Sequence, residues 1–394
     1  MKKLRVLAVG TNSDHMLRHI RFCDEMKDKD VQVDMFLTVV NEPVSVFHRE
    51  NAFGTSMPKV FSPLLHLPRI SDVVRRFFQV SSFRKIMRNN DYHLVCIHQL
   101  HPYTLAITKI SKKHGSHVML CPWGSDVLRA SEKNIRKLKK AFALADFVSS
   151  DLSFGFTDKY VQMYDVSRYK LVEGGYGSEV ISSVYEQKPI IDKNCVAVEF
   201  GMPKDRFYIT CGYAATRSQR HLNMIEAVGK NKEIIPRPPF LIFPFTYGPD
   251  RFNDYQNELV SLCKQYHLEY CFVKDYMPID KVARLRLLSD LYFHILPTDV
   301  CSSSLLEYLL AGSICVNGKW LDYPSLEKYQ VPYYICDSLA VLPDVLNMIL
   351  IKPDPHITLT KETEQVILAG NNEARIRKWY DFYHYYINTI KERE

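Results

Sequence analysis

Two carboxylates, Asp299 and Glu307, stand eight positions apart, with three consecutive serines, Ser302, Ser303 and Ser304, between them. An apolar run at 291–296 precedes this group, and a second apolar run lies at 313–317. The pattern predicts a strand, a polar turn, a helix over about 303–311 and another strand. The first N–H groups of a helix have no partner inside it, and hydroxyls with no acid among them suit that end to a phosphate or diphosphate. One acid before the helix and one in its second turn can then reach hydroxyl groups on either side of such a ligand. The same residues also fit a capping box, with Glu307 folded back onto the Ser304 amide and Gly312 just past the helix end.

These groups need elements to hold them. Short apolar strands are predicted at 4–10, 31–40, 93–98, 116–121, 206–213, 239–245 and 270–274, besides the two above; two more, at 145–150 and 170–177, follow only from the resemblance described below. Helices are predicted at 15–27, 222–228, 279–289, 303–311 and 363–390. Strands alternating with helices are the signature of doubly wound parallel sheets, whose ligands lie beyond the carboxyl ends of the strands. Gly10-Thr11-Asn12 makes the first strand-to-helix turn without the G-x-G-x-x-G fingerprint, so no NAD site is inferred. His98 and His101 leave the end of the strand at 93–98, as ligand-side groups or as hydrogen-bonded structural histidines. After the strand at 116–121, Gly124 lets the backbone approach a ligand closely, and Asp126 either bonds hydroxyls or caps the next helix. Residues 41–67 read as a long loop near this edge.

At 394 residues the chain divides into an N-terminal domain (1–185), a linker (186–205), a C-terminal domain (206–370) and a closing helix (371–394). No apolar run approaches the roughly 18 residues needed to cross a bilayer. The start does not read as a signal peptide, because Arg5 interrupts its apolar run. Ten cysteines without paired metal-type spacing, Cys96, Cys211, Cys271 and Cys315 among them in strands, read as reduced thiols of a cytoplasmic protein. Residues 1–185 carry 27 Lys and Arg against 18 Asp and Glu, and residues 186–394 carry 24 against 26. The basic half points to an anionic surface or acceptor, or only to solvated charge. Nothing points to nucleic acid. Within it, residues 68–90 interleave Val73, Val74, Phe77, Phe78 and Phe83 with Arg75, Arg76, Arg84 and Lys85. Such a segment docks on an anionic membrane surface or packs as an ordinary helix with its arginines in water. The aromatic stripe of the last helix, including Trp379, Phe382 and Tyr386, reads as packing.

The stretch at 299–316 resembles the acidic-x7-acidic signature of family 4 of the retaining glycosyltransferases. The family pattern runs Glu-x-Phe-Gly-x4-Glu-Ala-x-Ala-x-Gly-x-Pro-Val. Here Asp299 stands for the first Glu, Ser302 for the Gly, and Glu307, Gly312 and Val316 follow, without the Pro. Pro122-Trp123-Gly124-Ser125-Asp126 resembles the family's His-Gly-Ser/Thr-Asp turn, and Ala145-Asp146-Phe147-Val148 its Ala-Asp-x-Val strand. The family's Gly-Arg-Leu…Lys-Gly motif is out of register, with Arg217 and Arg220 as the nearest cations. The resemblance implies a GT-B fold: two Rossmann-like parallel-sheet domains facing a cleft, with a last helix crossing back to the first. It implies metal-independent, retaining transfer from a nucleotide-sugar, taken as UDP-linked, to a glycan, lipid-linked or polymer acceptor of the cell envelope. The enzyme would be cytoplasmic or peripheral on the inner membrane face.

The site residues follow from the same resemblance. His98, Asp299 and Glu307 are the catalytic set, with Asp299 on the sugar and Glu307 on the ribose. Arg217, Arg220, Ser302, Ser303 and Ser304 hold the diphosphate, and Tyr276 lies against the base. Gly10, Thr11, His101, Gly124 and Asp126 line the acceptor and sugar side. Glu307→Ala or Arg220→Ala is expected to abolish transfer without unfolding the protein. A nucleotide-sugar epimerase of the same architecture and a non-catalytic sugar-nucleotide binder are the rival readings.

Overall fold

The computed structural model describes residues 3–10, 30–40, 52–67, 70–150, 156–175, 177–299 and 302–391. The chain divides into two units, one of residues 1–176 with 375–394, the other of residues 177–374.

The first unit is built on a seven-stranded parallel sheet. Its strands are β1 (Leu4–Gly10), β2 (Val31–Val40), β3 (Ala52–Thr55), β4 (Leu94–His98), β5 (His117–Cys121), β6 (Phe147–Ser150) and β7 (Leu171–Glu173), in the order β3-β2-β1-β4-β5-β6-β7. Parallel strands are covered on both faces, which is why β4 is buried at all five positions. The Ser71–Asn89 helix covers part of one face through Phe83, whose ring lies 5.6 Å from that of Phe36 on β2. Residues 41–67, expected to be loop, include β3 and a 3-10 helix at Lys59–His66. The helix expected at 15–27 lies outside the described residues.

The second unit repeats the plan with six parallel strands: β8 (Phe207–Cys211), β9 (Pro239–Pro244), β10 (Glu269–Val273), β11 (Leu291–His294), β12 (Ile314–Gly318) and β13 (Tyr334–Cys336). Their order is β10-β9-β8-β11-β12-β13. Strand order reverses between β8 and β11, the position where doubly wound sheets place ligands. Residues 186–205, read as a linker, belong to this unit. They include the end of the Glu179–Gln187 helix and the whole Lys193–Glu199 helix, started by Asp192 accepting from the Asn194 and Cys195 amides. Short helices with few periods give little pattern in sequence, which is why the stretch read as irregular.

The closing helix, expected to be continuous over 363–390, is two: Lys361–Leu368 and Asn372–Lys391, broken at Gly370. The second returns to the first unit's core, where Trp379, Phe382, Tyr383 and Tyr386 pack with Leu4, Val6, Ala8 and Met119. Trp379 Nε1 donates to the Gly175 carbonyl at 3.1 Å, and the Tyr386 hydroxyl to that of His93 at 3.3 Å. No helix among the described residues is long and apolar enough to cross a membrane.

Candidate functional site

In the second unit the register sets Phe293 beside Cys211 and His294 beside Asn317, so the chain leaves β8, β11 and β12 at one edge. The Ser303–Ala311 helix begins there, as the sequence predicts. Ser302 is its N-cap and accepts the Ser304 N–H at 3.3 Å. The far end is closed by Gly312 in the left-handed region (φ 88°) and by Lys188, whose ammonium donates to the Leu310 carbonyl at 2.7 Å. Of the two amides expected to be open, that of Ser304 is taken by the cap. That of Ser303 has no acceptor among the described residues.

Asp299 is held from three sides. Its Oδ2 accepts the Ser302 N–H at 2.7 Å and the Tyr323 hydroxyl at 2.8 Å, and lies 3.0 Å from His294 Nε2. The His294 ring is wholly buried, with Nδ1 3.2 Å from the Tyr292 hydroxyl. A proton on Nε2 satisfies Asp299 and leaves Nδ1 to accept from Tyr292.

Glu307 does not fold back onto the Ser304 amide, so the capping-box reading falls. Its side chain is 5 % exposed; Oε2 accepts from Arg286 Nε at 2.9 Å and Oε1 from the Ser178 hydroxyl at 2.6 Å. Arg286 also donates to the Tyr308 hydroxyl at 2.7 Å and stacks on that ring. Tyr308 in turn stacks on Tyr292, centroids 4.0 Å apart. A continuous set of buried contacts therefore joins the two acids behind the helix: Asp299, His294, Tyr292, Tyr308, Arg286, Glu307.

The two candidate arginines part company. Arg217 is committed elsewhere: its guanidinium meets both oxygens of Glu258, 2.8 Å for Nη1 to Oε2, and lies over the Tyr255 ring. The sequence expectation puts Arg217 on the diphosphate; in the structure its countercharge is Glu258, forty-one positions on. Arg220 has no carboxylate partner among the described residues, is half-buried, and stacks at 4.9 Å on Trp320. Burial lowers its pKa from the usual guanidinium value. Its backbone is left-handed (φ 64°), a conformation that costs a non-glycine residue roughly 1–3 kcal/mol and concentrates at functional sites. Trp320 Nε1 donates to the Leu296 carbonyl at 2.5 Å, tying Arg220 to the loop that ends in Asp299. Gly212 is required in the preceding turn: its φ is 66° and a Cβ would stand 2.5 Å from Gln219 Oε1. Tyr276, after β10, is 77 % exposed.

In the first unit, Gly10 ends β1 with its carbonyl accepting from the Thr38 hydroxyl at 3.1 Å. Thr11 lies outside the described residues. His98, favoured over His101 in the sequence, is still within β4; it is 1 % exposed and packs 5.9 Å from the Trp379 ring. The chain turns only after it, at Gln99 (φ 55°), and this brings His101 to the wall of two cavities. Gly124 has φ 107°, which fits glycine alone. Asp126 accepts from the Leu100 amide at 2.7 Å and from the Trp123 amide at 3.0 Å, so it staples the loop after β4 to the loop after β5. Burial pushes its pKa up, against those amides.

Sequence reasoning passed over His294, Arg286 and Ser178, and it reads Trp320-Leu321-Asp322-Tyr323 as either lining the cleft or packing. The only signal was a histidine closing a strand five residues before an acid.

Two doubly wound parallel units in succession, with the last helix packed on the first, define the GT-B fold of glycosyltransferases. Residues 5–151 match the family described as glycosyl transferase 4-like. No curated protein matches the sequence. Among solved structures, the chain is similar to a glycosyltransferase from Rickettsia africae ESF-5 (TM-score 0.69, 11 % identity, 97 % of this chain and 98 % of that one). It is also similar to HepE from Anabaena in complex with UDP and glucose (TM-score 0.68, 12 % identity, 97 % and 99 %). Sucrose-phosphate synthase from Thermosynechococcus elongatus is a third (TM-score 0.70, 14 % identity, 98 % and 100 %).

Proposed function

We propose that this chain is a metal-independent, retaining glycosyltransferase that moves a hexosyl or N-acetylhexosaminyl group from a UDP-sugar to a glycan, lipid-linked or polymer acceptor of the cell envelope. One observation carries the reading. At the edge where strand order reverses, a guanidinium with no carboxylate partner among the described residues, on a strained backbone, is stacked on Trp320, whose indole is bonded to the Leu296 carbonyl ahead of Asp299. An anion would supply the countercharge that guanidinium lacks, and HepE, which shares the fold, is a UDP complex. Arg220, the Ser303 N–H and the serine hydroxyls hold the diphosphate. Asp299 faces the sugar, and Glu307 receives ribose hydroxyls on lone pairs left beside Ser178 and Arg286.

The bond from the anomeric carbon to the diphosphate oxygen breaks as an oxocarbenium-like sugar develops, and the fixed donors take up the charge on the leaving group. The acceptor oxygen bonds the same face of that carbon and gives its proton to the departing diphosphate. No protein base is required. An acceptor-side role is assigned to the first unit, with His101 and Asp126, and a peripheral place on the inner membrane face to its exposed apolar and basic surface.

The test is a thermal-shift panel of UDP-, GDP- and ADP-sugars. A ligand at 100 times its dissociation constant should stabilise by about 2.7 kcal/mol. Incubating the bound nucleotide-sugar without acceptor should leave it unchanged; interconversion of sugars would instead assign an epimerase. Binding with no turnover on any acceptor would leave the non-catalytic reading.

A further inference from the structure

Two cavities of the first unit share the wall formed by His101 and Pro102. One, of 470 Å³, is bounded by Trp123, Asp126 and Arg129. The other, of 460 Å³, is bounded by Thr38, Arg75, Arg76, Gln79 and Tyr103.

The second cavity is lined by two arginines and one carboxylate, Asp72. Arg75 is exposed and forms no ion pair among the described residues. Arg76 meets Asp72 only at 4.0 Å, a contact that solvent screens. The Tyr103 side chain is 5 % exposed, and its hydroxyl lies beside Thr38 without completing a hydrogen bond. Thr38 cannot donate to it, since its own proton goes to the Gly10 carbonyl, and Gln79 Nε2 gives one of its two protons to the Thr38 carbonyl at 2.7 Å. His101 Nε2 is buried with no partner, and burial holds its imidazole neutral. Two cations and two buried neutral groups whose polar atoms have no partner among the described residues therefore border one space, opposed there by the Asp72 carboxylate. A phosphate oxygen group satisfies such a set, because it brings acceptors and negative charge together.

We infer that the cavity between the Ser71–Asn89 helix and the loop after β4 binds an anionic phosphate group, with Arg75 and Arg76 as its cations and Tyr103 as a neutral donor. Calling that phosphate part of the acceptor rests on the glycosyltransferase reading; the anion site itself does not. Its source is either a soluble phosphate ester or a lipid headgroup.

The experiment uses the full chain saturated with UDP, so that the second unit's site is occupied. Thermal shift is followed against inorganic phosphate, and co-sedimentation against phosphatidylcholine vesicles with and without phosphatidic acid. Arg75→Ala/Arg76→Ala, Tyr103→Phe and the control Arg84→Ala/Lys85→Ala are compared with the wild type. Saturable binding in either arm that is weakened about tenfold by Arg75→Ala/Arg76→Ala, weakened less by Tyr103→Phe and kept by the control supports the site. A response to vesicles alone assigns the lipid headgroup, and a response to phosphate alone assigns the soluble ester. Absence of saturable binding in both arms, or equal loss in the control, overturns it in favour of a diffuse basic face. UDP binding, read separately in each variant, keeps failure of the donor reading distinct from failure of this one.

Discussion

Arg220 and Arg217 are three residues apart and have opposite circumstances, one stacked and without a countercharge among the described residues, the other paired with Glu258. Removing a preorganised donor from a leaving-group site typically costs ~10²–10³ in rate. Arg220→Ala is therefore expected to lower transfer by about that factor, whereas Arg217→Ala should leave it within about twofold, since an exposed pair contributes ~0–1 kcal/mol at most. Arg220→Gly sharpens the test. Glycine relieves the left-handed backbone, so melting temperature should hold or rise while activity is lost; a parallel loss of both would assign Arg220 a structural role. His221 gives a prediction in pH. It is wholly buried among Phe243, Phe245 and Tyr255, and burial lowers its pKa from 6.5 to about 3. The unfolded chain takes up that proton and the folded one does not, so stability present above pH 6.5 is lost as pH falls towards 3. The slope from this one group should approach about 1.4 kcal/mol per pH unit, and His221→Gln should flatten it in denaturation series between pH 7 and 4.

At the scale of elements, the helix that starts at Ser303 is anchored by what lies behind it. Glu307→Ala would leave Arg286 buried and unpaired, a change that typically costs ~3–5 kcal/mol. The sequence expectation that this variant stays folded is revised on that ground. Urea denaturation should show the loss, and Arg286→Met/Glu307→Leu should recover most of it. For the chemistry, Glu307→Gln is the variant to assay. The Ser71–Asn89 helix divides similarly: Phe83, Ile86 and Met87 are buried, while Val73 and Phe77 are 64 % and 66 % exposed beside Arg75. Phe61, on the preceding turn, packs against Phe78 and extends this surface. Val73→Ser/Phe77→Ser is expected to reduce co-sedimentation with anionic vesicles without changing the melting temperature; undiminished binding would count against membrane docking there.

At the scale of the whole molecule, the first unit is incomplete without the end of the chain. Trp379 is 1 % exposed, and its indole lies against Gly174, where an added Cβ would come within 3.1 Å. Trp379→Ala should destabilise by ~3–5 kcal/mol. A chain truncated after residue 374 should lose the near-ultraviolet circular dichroism of the first unit. Retained native signal would show that the strands alone suffice.

Periodicity was enough to place most strands and the Ser303–Ala311 helix, because apolar runs broken by turns reflect local chain geometry that each segment carries alone. β3 and β13, of four and three residues, are too short to establish a period, and the helices at Thr104–Lys113, Glu132–Leu144, Glu179–Gln187, Lys193–Glu199, Tyr255–Gln265 and Leu342–Leu350 also escaped it. The order in which strands pair was expected only through the alternation of element types. What the sequence could not settle was the partner of each charged group. Glu307 and Arg286, Arg217 and Glu258, Asp126 and the Leu100 amide meet across twenty-one, forty-one and twenty-six positions. Arg217 and Arg220 look equivalent in the chain, and His98 looks better placed than His101. Only the folded sheet, which aligns the strand ends, buries His98 and pairs Arg217 with Glu258, decides which side chains are left to meet a ligand.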